Sequence, residues 1–236
     1  MQEDILNLIS SSSSKGKVII CKDVCILKNL LEPGMCENLI RIANQQSLEQ
    51  LATRKRLQFD CPELAAYLWE KISPIYPYRE IADEYGEIWR AMQINPHFRF
   101  VSYQPGDKFA KHEDGFVYTK YNQRSFASLT IYLNSLDEKD GGATHFTDFN
   151  FQVQPTTGSG LLFLVDDLLH EGRPVTNPAS VKYILRTDIL YGCPWFKNDK
   201  LRQEIYSAYQ EASNGDDYNP TNWEKYQNLV NKLKKG

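Results

Sequence analysis

The sequence predicts an all-β core, an antiparallel sandwich or barrel of which the jelly roll is one form, with α-helices flanking it at both ends. Three observations carry this expectation. From about Gln93 to Tyr191 the chain consists of short β-prone runs, among them Phe98–Tyr103 and Ser125–Asn134. Turns at Gln104-Pro-Gly-Asp107, Gly141-Gly142, Pro155 and Gly158-Ser-Gly160 punctuate them. No helical stripe interrupts the stretch, whereas apolar residues return to helical spacing before and after it.

The elements follow in order. Residues 1–16 read as a flexible N-terminal segment, in which the apolar patch Ile5–Ile9 precedes the serine run Ser10–Ser14 and Lys-Gly-Lys. Residues 17–92 supply an N-terminal strand and supporting helices. Val18–Leu27 predicts a strand or strand pair. Glu32-Pro33-Gly34 opens a helix to about Gln46, with Met35, Leu39, Ile42 and Ala43 on one face. A second helix covers Pro62–Ile72, its stripe formed by Leu64, Ala65, Leu68, Trp69 and Ile72. The small basic cluster Arg54-Lys55-Arg56 between them reads as a solvated helix end or loop, with a local basic groove as the alternative. Residues 93–192 form the β core, closed by a strand Val181–Tyr191 after a turn at Asn177-Pro178. Residues 193–236 form a polar, Tyr-rich C-terminal helical extension that ends in an amphipathic helix, Asn219–Lys235.

Composition narrows the function. With 236 residues, 42% hydrophobic and 24% charged, the chain has the makeup of an ordinary globular domain with appendages. A net charge of −3 argues against a broad electrostatic grip on nucleic acid or on anionic membrane. The five cysteines are odd in number and lack zinc-type pairing, and Cys21 and Cys25 are too far apart for a CxxC motif. Free thiols in a reducing compartment fit best. No secretory signal is visible, and no apolar run approaches the ~20 residues of a membrane span. A soluble, cytoplasmic protein is expected; the oligomeric state is left open.

His112, Asp114 and His170 point to the chemistry. Two imidazoles and one carboxylate make a facial site for non-haem Fe(II) with coordination positions left open. Strand alternation puts residues i and i+2 on one face, so His112 and Asp114 can share one metal if Lys111–Gly115 is extended. Taken alone, the His-x-Asp pair also reads as a surface histidine beside carboxylates. In the last core strand Lys182, Ile184, Arg186 and Asp188 share one face, and Tyr183, Leu185, Thr187 and Ile189 the other. Charges facing a barrel interior need a counter-charge, which a dicarboxylate co-substrate would supply. The competing arrangement is an exposed strand face with Arg186 paired to Asp188.

From about Leu30 to Tyr191 the sequence resembles the prolyl-4-hydroxylase-like 2-oxoglutarate and Fe(II)-dependent dioxygenases. The resemblance is densest in Arg99-Phe-Val-Ser-Tyr-Gln-Pro-Gly-Asp-Lys-Phe-Ala-Lys-His-Glu-Asp-Gly115, Ser128-Leu-Thr-Ile-Tyr-Leu-Asn134 and Gly141-Gly-Ala-Thr-His-Phe146. His170-Glu-Gly172 and Lys182-Tyr-Ile-Leu-Arg-Thr-Asp188 complete the set, and Leu30–Ile40 resembles the helix entry before the barrel. The resemblance implies a double-stranded β-helix, the jelly roll of this family. It also implies Fe(II) held by His112, Asp114 and His170, with 2-oxoglutarate and O2 as co-substrates and ascorbate as an accessory reductant. Lys182 would hold the distal carboxylate of 2-oxoglutarate, helped by the Tyr103 hydroxyl and a bond from Thr144. Lys182 stands twelve positions after His170, further than the family pattern, and Asn177–Ser180 resembles a small insertion. Arg186 shares the face of Lys182 and can take the co-substrate or a substrate contact instead.

The reaction implied is hydroxylation of a C–H bond with succinate and CO2 as co-products, on a prolyl or other residue of a peptide or protein, or on a small molecule. Fold and cofactor do not fix the substrate. Two other classes compete: a jelly-roll binding protein without turnover, and a cupin-type metalloprotein that does not use 2-oxoglutarate. His145, opposite in alternation to Thr144, and His97, at a strand entrance, are bystanders. Tyr118, Tyr121 and Arg124 lie in a stretch that reads either as a substrate lid or as a plain surface loop. Tyr206, Tyr209, Tyr218, Trp223 and Tyr226 of the extension are expected to pack against the barrel, with binding of a partner as the alternative.

Overall fold

The computed structural model describes residues 4–5, 17–21, 24–165, 168–213 and 219–234, with side chains excepted at 17–21. The serine run Ser10–Ser14, the apolar patch beyond Ile5, and Tyr218 lie outside the described residues. In chain order the elements begin with β1 (Lys17–Cys21), β2 (Val24–Lys28), α1 (Pro33–Asn44), β3 (Glu49–Leu51), β4 (Arg54–Asp60) and α2 (Pro62–Ile72). β5 (Glu80–Ala82), β6 (Ile88–Ile94), β7 (His97–Tyr103), β8 (Phe109–His112), β9 (Tyr118–Lys120) and β10 (Gln123–Tyr132) follow. The chain continues through β11 (Thr144–Phe146), β12 (Phe151–Val153), β13 (Gly160–Leu164), β14 (His170–Gly172) and β15 (Lys182–Gly192). Two helices end it, α3 (Asp199–Ser213) and α4 (Pro220–Leu233). They divide into two compact units: Met1–Tyr76 with Gln93–Gly115 and Phe126–Ile189, and Pro77–Met92 with Phe116–Ser125 and Leu190–Gly236.

The first unit holds two sheets. The larger runs in the order β1-β2-β13-β10-β15-β7-β4-β3, and the smaller in the order β12-β11-β14-β8. Successive strands cross from one sheet to the other, β7 to β8, β10 to β11 and β13 to β14 to β15, which is the double-stranded β-helix. Between the sheets lies a core that includes Val101, Tyr132, Phe146, Leu161, Phe163 and Ile184. Each such side chain contributes roughly 1.5–3 kcal/mol by leaving water. The helices cover the other side of the larger sheet, where Leu39, Ile42 and Ala43 of α1 meet Phe100 and Leu185. Proline opens both helices, and each buries its expected stripe except Trp69 of α2, which is half-buried.

One expectation fails here. Arg54-Lys55-Arg56 is neither helix end nor loop but the start of β4, paired with β3 and β7. Leu57 and Phe59 face Phe100 and Phe98 across that ladder, and the Phe59 and Phe98 rings stack at 5.6 Å. The opposite face of β4 carries Arg54, Arg56 and Gln58. A strand whose inward face is charged does not show the apolar alternation by which strands are read.

The second unit is built on the β5–β6 hairpin, β9 with the start of β10, and the two C-terminal helices. Only the second of those helices was legible from spacing. Buried Arg202 of α3 meets Asp83 at 2.7 Å and Glu87 at 3.7 Å, and the Trp89 indole donates to the same Asp83 at 3.0 Å. Ile205, Ala208 and Tyr226 form the helix core, joined by Phe116, Tyr209 and Trp223. Tyr209, Trp223 and Tyr226 of the extension thus belong to this unit's own core. Tyr118 is buried in it and Arg124 lies 4.5 Å over the Phe116 ring, so Val117–Arg124 is a packed hairpin.

Gly158 fixes the junction between α1 and the larger sheet. Its φ is +73°, its carbonyl accepts the amides of Leu30 and Leu31 at 2.8 and 3.0 Å, and a Cβ there would overlap the Leu31 carbonyl oxygen. Gly158→Ala should therefore destabilise the protein by roughly 3 kcal/mol, read from its urea midpoint. A loss below about 1 kcal/mol would show that the turn relaxes freely.

Candidate metal and co-substrate site

Strand pairing explains why residues far apart in sequence meet. β8 and β14 are neighbours in the smaller sheet, and His112 stands directly opposite His170. Their ring centroids are 4.3 Å apart. A bulge between His170 and Gly172 in that pairing sets two residues of β8, Ala110 and Lys111, against one of β14, Glu171. Phe109 and His112 therefore share a face despite their odd spacing. β8 ends at His112, and Asp114 reaches the same point from the irregular segment beyond it, not from an extended strand.

The donor atoms of His112, Asp114 and His170 all lie within 4.8 Å of one another. His112 Nε2 is 3.4 Å from Asp114 Oδ1, and His170 Nε2 is 3.9 Å from Asp114 Oδ2. A cation bound at about 2.1 Å to three adjacent ligands holds them roughly 3 Å apart, so the set fits one ion after small movements. Each imidazole already spends its other nitrogen on the backbone. His112 Nδ1 pairs with the Ala110 carbonyl at 2.8 Å, and His170 Nδ1 with that of Leu168 at 2.9 Å. With Nδ1–H donating, loss of any proton from Nε2 leaves both Nε2 lone pairs pointing at the shared position, where a cation would bind. Burial lowers the pKa of His170, which favours the neutral, ligating form.

Asp114 is buried, which alone would raise its pKa. Hydrogen bonding with His112 and the charge of Arg186 outweigh that and hold it well below the usual carboxylate range. Arg186 Nη2 lies 2.9 Å from Asp114 Oδ2, and the Ser128 hydroxyl donates to the same oxygen at 2.6 Å. Arg186 also lies 3.7 Å from Asp188, as does Arg99. The exposed strand face with an Arg186–Asp188 pair is thus not what forms: Asp188 is fully buried, and the closest carboxylate to Arg186 is Asp114.

His112, Asp114, His170, Arg99 and Arg186 line one cavity of about 300 Å3, together with Tyr103, Thr144 and Lys182. Alternation arranges its floor. Tyr103, Val101 and Arg99 of β7 stand beside Lys182, Ile184 and Arg186 of β15, residue for residue. Lys182 is 4% exposed and has no carboxylate partner among the described residues; its ammonium lies 5.5 Å from the ring centres of both Tyr103 and Tyr132. Burial pushes its pKa down to about 7. The Tyr132 hydroxyl donates to Thr144 at 2.7 Å.

The sequence left out Ser128, Tyr132, Arg54, Arg56 and Arg99. Ser128 and Tyr132 could have been found, since they fall in phase with Thr130 on the inward face of β10. His145 points away from the cavity, between Glu171 and Asn150 at 3.0 and 3.1 Å, and His97 pairs with Asp60 at 2.9 Å.

Comparison with known proteins agrees with this geometry. Residues 98–187 match the model of the 2OG-Fe(II) oxygenase superfamily. No curated protein matches the chain. Among solved structures, the chain is similar to the viral collagen prolyl hydroxylase of Paramecium Bursaria Chlorella virus-1 in complex with 2OG. The TM-score is 0.56 at 19% identity, over 72% of this chain and 96% of that one. A prolyl hydroxylase of Trichoplax adhaerens, solved with a hypoxia inducible factor peptide fragment, gives 0.53 at 15% identity, over 86% and 90%. A Pseudomonas putida prolyl-4-hydroxylase gives 0.50 at 17% identity, over 80% and 98%. Over residues 98–187 the chain is thus similar to the 2OG-Fe(II) oxygenase superfamily, which uses Fe(II), 2-oxoglutarate and O2, and it has the double-stranded β-helix fold that these prolyl hydroxylases share.

Proposed function

We propose that the protein hydroxylates a C–H bond of a prolyl or other residue in a peptide or protein, consuming 2-oxoglutarate and O2 and releasing succinate and CO2. His112, Asp114 and His170 hold Fe(II), and Lys182 holds the far carboxylate of 2-oxoglutarate, with Tyr103, Thr144 and Tyr132 beside it. One observation carries this reading: three convergent metal donors share a cavity with a buried lysine that has no carboxylate partner among the described residues. An unpaired ammonium is costly inside a protein unless a ligand brings the counter-charge. The likeness to prolyl hydroxylases, one of them solved with a peptide, supports a peptide substrate.

Bound iron and 2-oxoglutarate supply the oxidising power, which no side chain here has. The residues of the chain position and insulate it. The backbone carbonyls of Ala110 and Leu168 orient the two imidazoles, and Arg186 with Ser128 keeps Asp114 ionised and aimed. Arg186 thereby serves the metal's carboxylate, not the co-substrate. Lys182 provides a point charge at the closed end of the cavity, and the Tyr103 and Tyr132 rings exclude water from it.

Asp114→Ala or His170→Ala should reduce Fe(II)-dependent succinate release to background while the circular dichroism spectrum stays native. Retained turnover in either would remove that residue from the metal. Lys182→Ala should raise the 2-oxoglutarate KM by about tenfold or more, the scale of a lost charge-assisted hydrogen bond, and Arg186→Ala by less. The opposite order would make Arg186 the anchor.

Without ligand, Lys182 should destabilise the fold. Its pKa is about 7 when folded, against ~10.4 in an unfolded chain. The unfolded state binds the additional proton between those values, so stability should rise with pH across that window. Lys182→Met should flatten the rise and stabilise the ligand-free protein at pH 7 by about 2–4 kcal/mol, by urea unfolding. A destabilised Lys182→Met variant would mean that the ammonium is already satisfied.

A further inference from the structure

Five cationic side chains, Arg54, Arg56, Arg99, Lys182 and Arg186, line the cavity against the single carboxylate of Asp114. Three of the five have acidic partners: Arg186 has Asp114, Arg99 has Asp188 and Arg56 has Glu49. The last pair is closely held, with two Arg56 nitrogens on one Glu49 oxygen at 3.0 and 2.7 Å, but it lies at the surface. Glu49 is 52% exposed, and ion pairs of that kind exchange readily for another carboxylate. Arg54 has no carboxylate partner among the described residues and lies over the Phe109 ring, 4.0 Å from its centre. Under the oxygenase reading, on which this inference rests, 2-oxoglutarate accounts for Lys182. Fe(II) and the 2-oxoglutarate dianion cancel in charge, so the loaded cavity keeps its positive excess.

That excess has a place. Arg56 pairs in register with Val101, and Val101 with Ile184. β4 is thus two strands from β15, roughly 10 Å across the sheet. Arg54 and Arg56 face the cavity from a flank that Lys182 does not serve. Both are half-buried, which desolvates them and strengthens their hold on an anion.

We propose that the substrate peptide is acidic, with a carboxylate close to the hydroxylated residue docking on Arg54 and Arg56. Two recessed arginines suit one or two carboxylates. A nucleic acid would call for an extended basic surface, which a chain of net charge −3 does not suggest.

The test uses the full chain loaded with Zn(II) and 2-oxoglutarate. Its probes are fluorescein-labelled Gly-Glu-Gly-Pro-Gly-Glu-Gly, the same peptide with Lys for Glu, and an oligothymidylate, followed by anisotropy. The acidic peptide should bind about tenfold or more tightly than its lysine counterpart, and the preference should shrink with added salt. Arg54→Gln combined with Arg56→Gln should abolish the preference while 2-oxoglutarate binding, measured by calorimetry on the same samples, stays unchanged. Equal or undetectable binding of the two peptides would overturn the proposal, as would tighter binding of the oligothymidylate. Loss of 2-oxoglutarate binding in the wild type is a separate outcome, which would bring down the oxygenase reading and this inference with it.

Discussion

The cavity depends on a run of alternating charges buried between two sheets. Asp114 leans on Arg186 at 2.9 Å, Arg186 on Asp188 at 3.7 Å, and Asp188 on Arg99 at 3.7 Å. No member of this run is tolerable alone in the interior, since removing one leaves its neighbour as an uncompensated buried charge. The pairing keeps Asp114 ionised, and an ionised carboxylate is what a metal needs. Arg186 is therefore better understood through the aspartate beside it than through any co-substrate. Lys182, on the same face of the same strand, is the exception: it has the burial without a carboxylate partner among the described residues.

Period-two alternation does the positioning. β15 sends Lys182, Ile184, Arg186 and Asp188 to the cavity side and Leu185 to the helix side. The register with β7 then sets Tyr103 beside Lys182 and Arg99 beside Arg186. Few loops are asked to hold precise geometry. Even the pair of imidazoles is a cross-strand pair, fixed by the β8–β14 ladder and its bulge.

Much of this was legible from residues alone. The β15 face and the outward turn of His145 follow from alternation, whereas His112, Asp114 and His170 were singled out by residue type and by the family resemblance, with Asp114 coming from beyond the strand. The helices Pro33–Asn44 and Pro62–Ile72 follow from apolar spacing with proline at the start. Two elements escaped for one physical cause: elements whose inward face is polar look like surface. β4 was hidden because Arg54 and Arg56 are the residues that enter the cavity. The helix Asp199–Ser213 was hidden because its buried set includes Arg202, matched by Asp83. The β8 bulge, which aligns Phe109 with His112, leaves no mark in the sequence.

The most direct test is equilibrium binding of Mn(II), a redox-quiet stand-in for Fe(II), followed by electron paramagnetic resonance with and without 2-oxoglutarate. If three donors and one lysine serve a single ion and its chelating acid, the chain binds one Mn(II) and 2-oxoglutarate tightens it, because binding at linked sites is reciprocal. A titration with no saturable site, or an affinity indifferent to 2-oxoglutarate, would contradict the account.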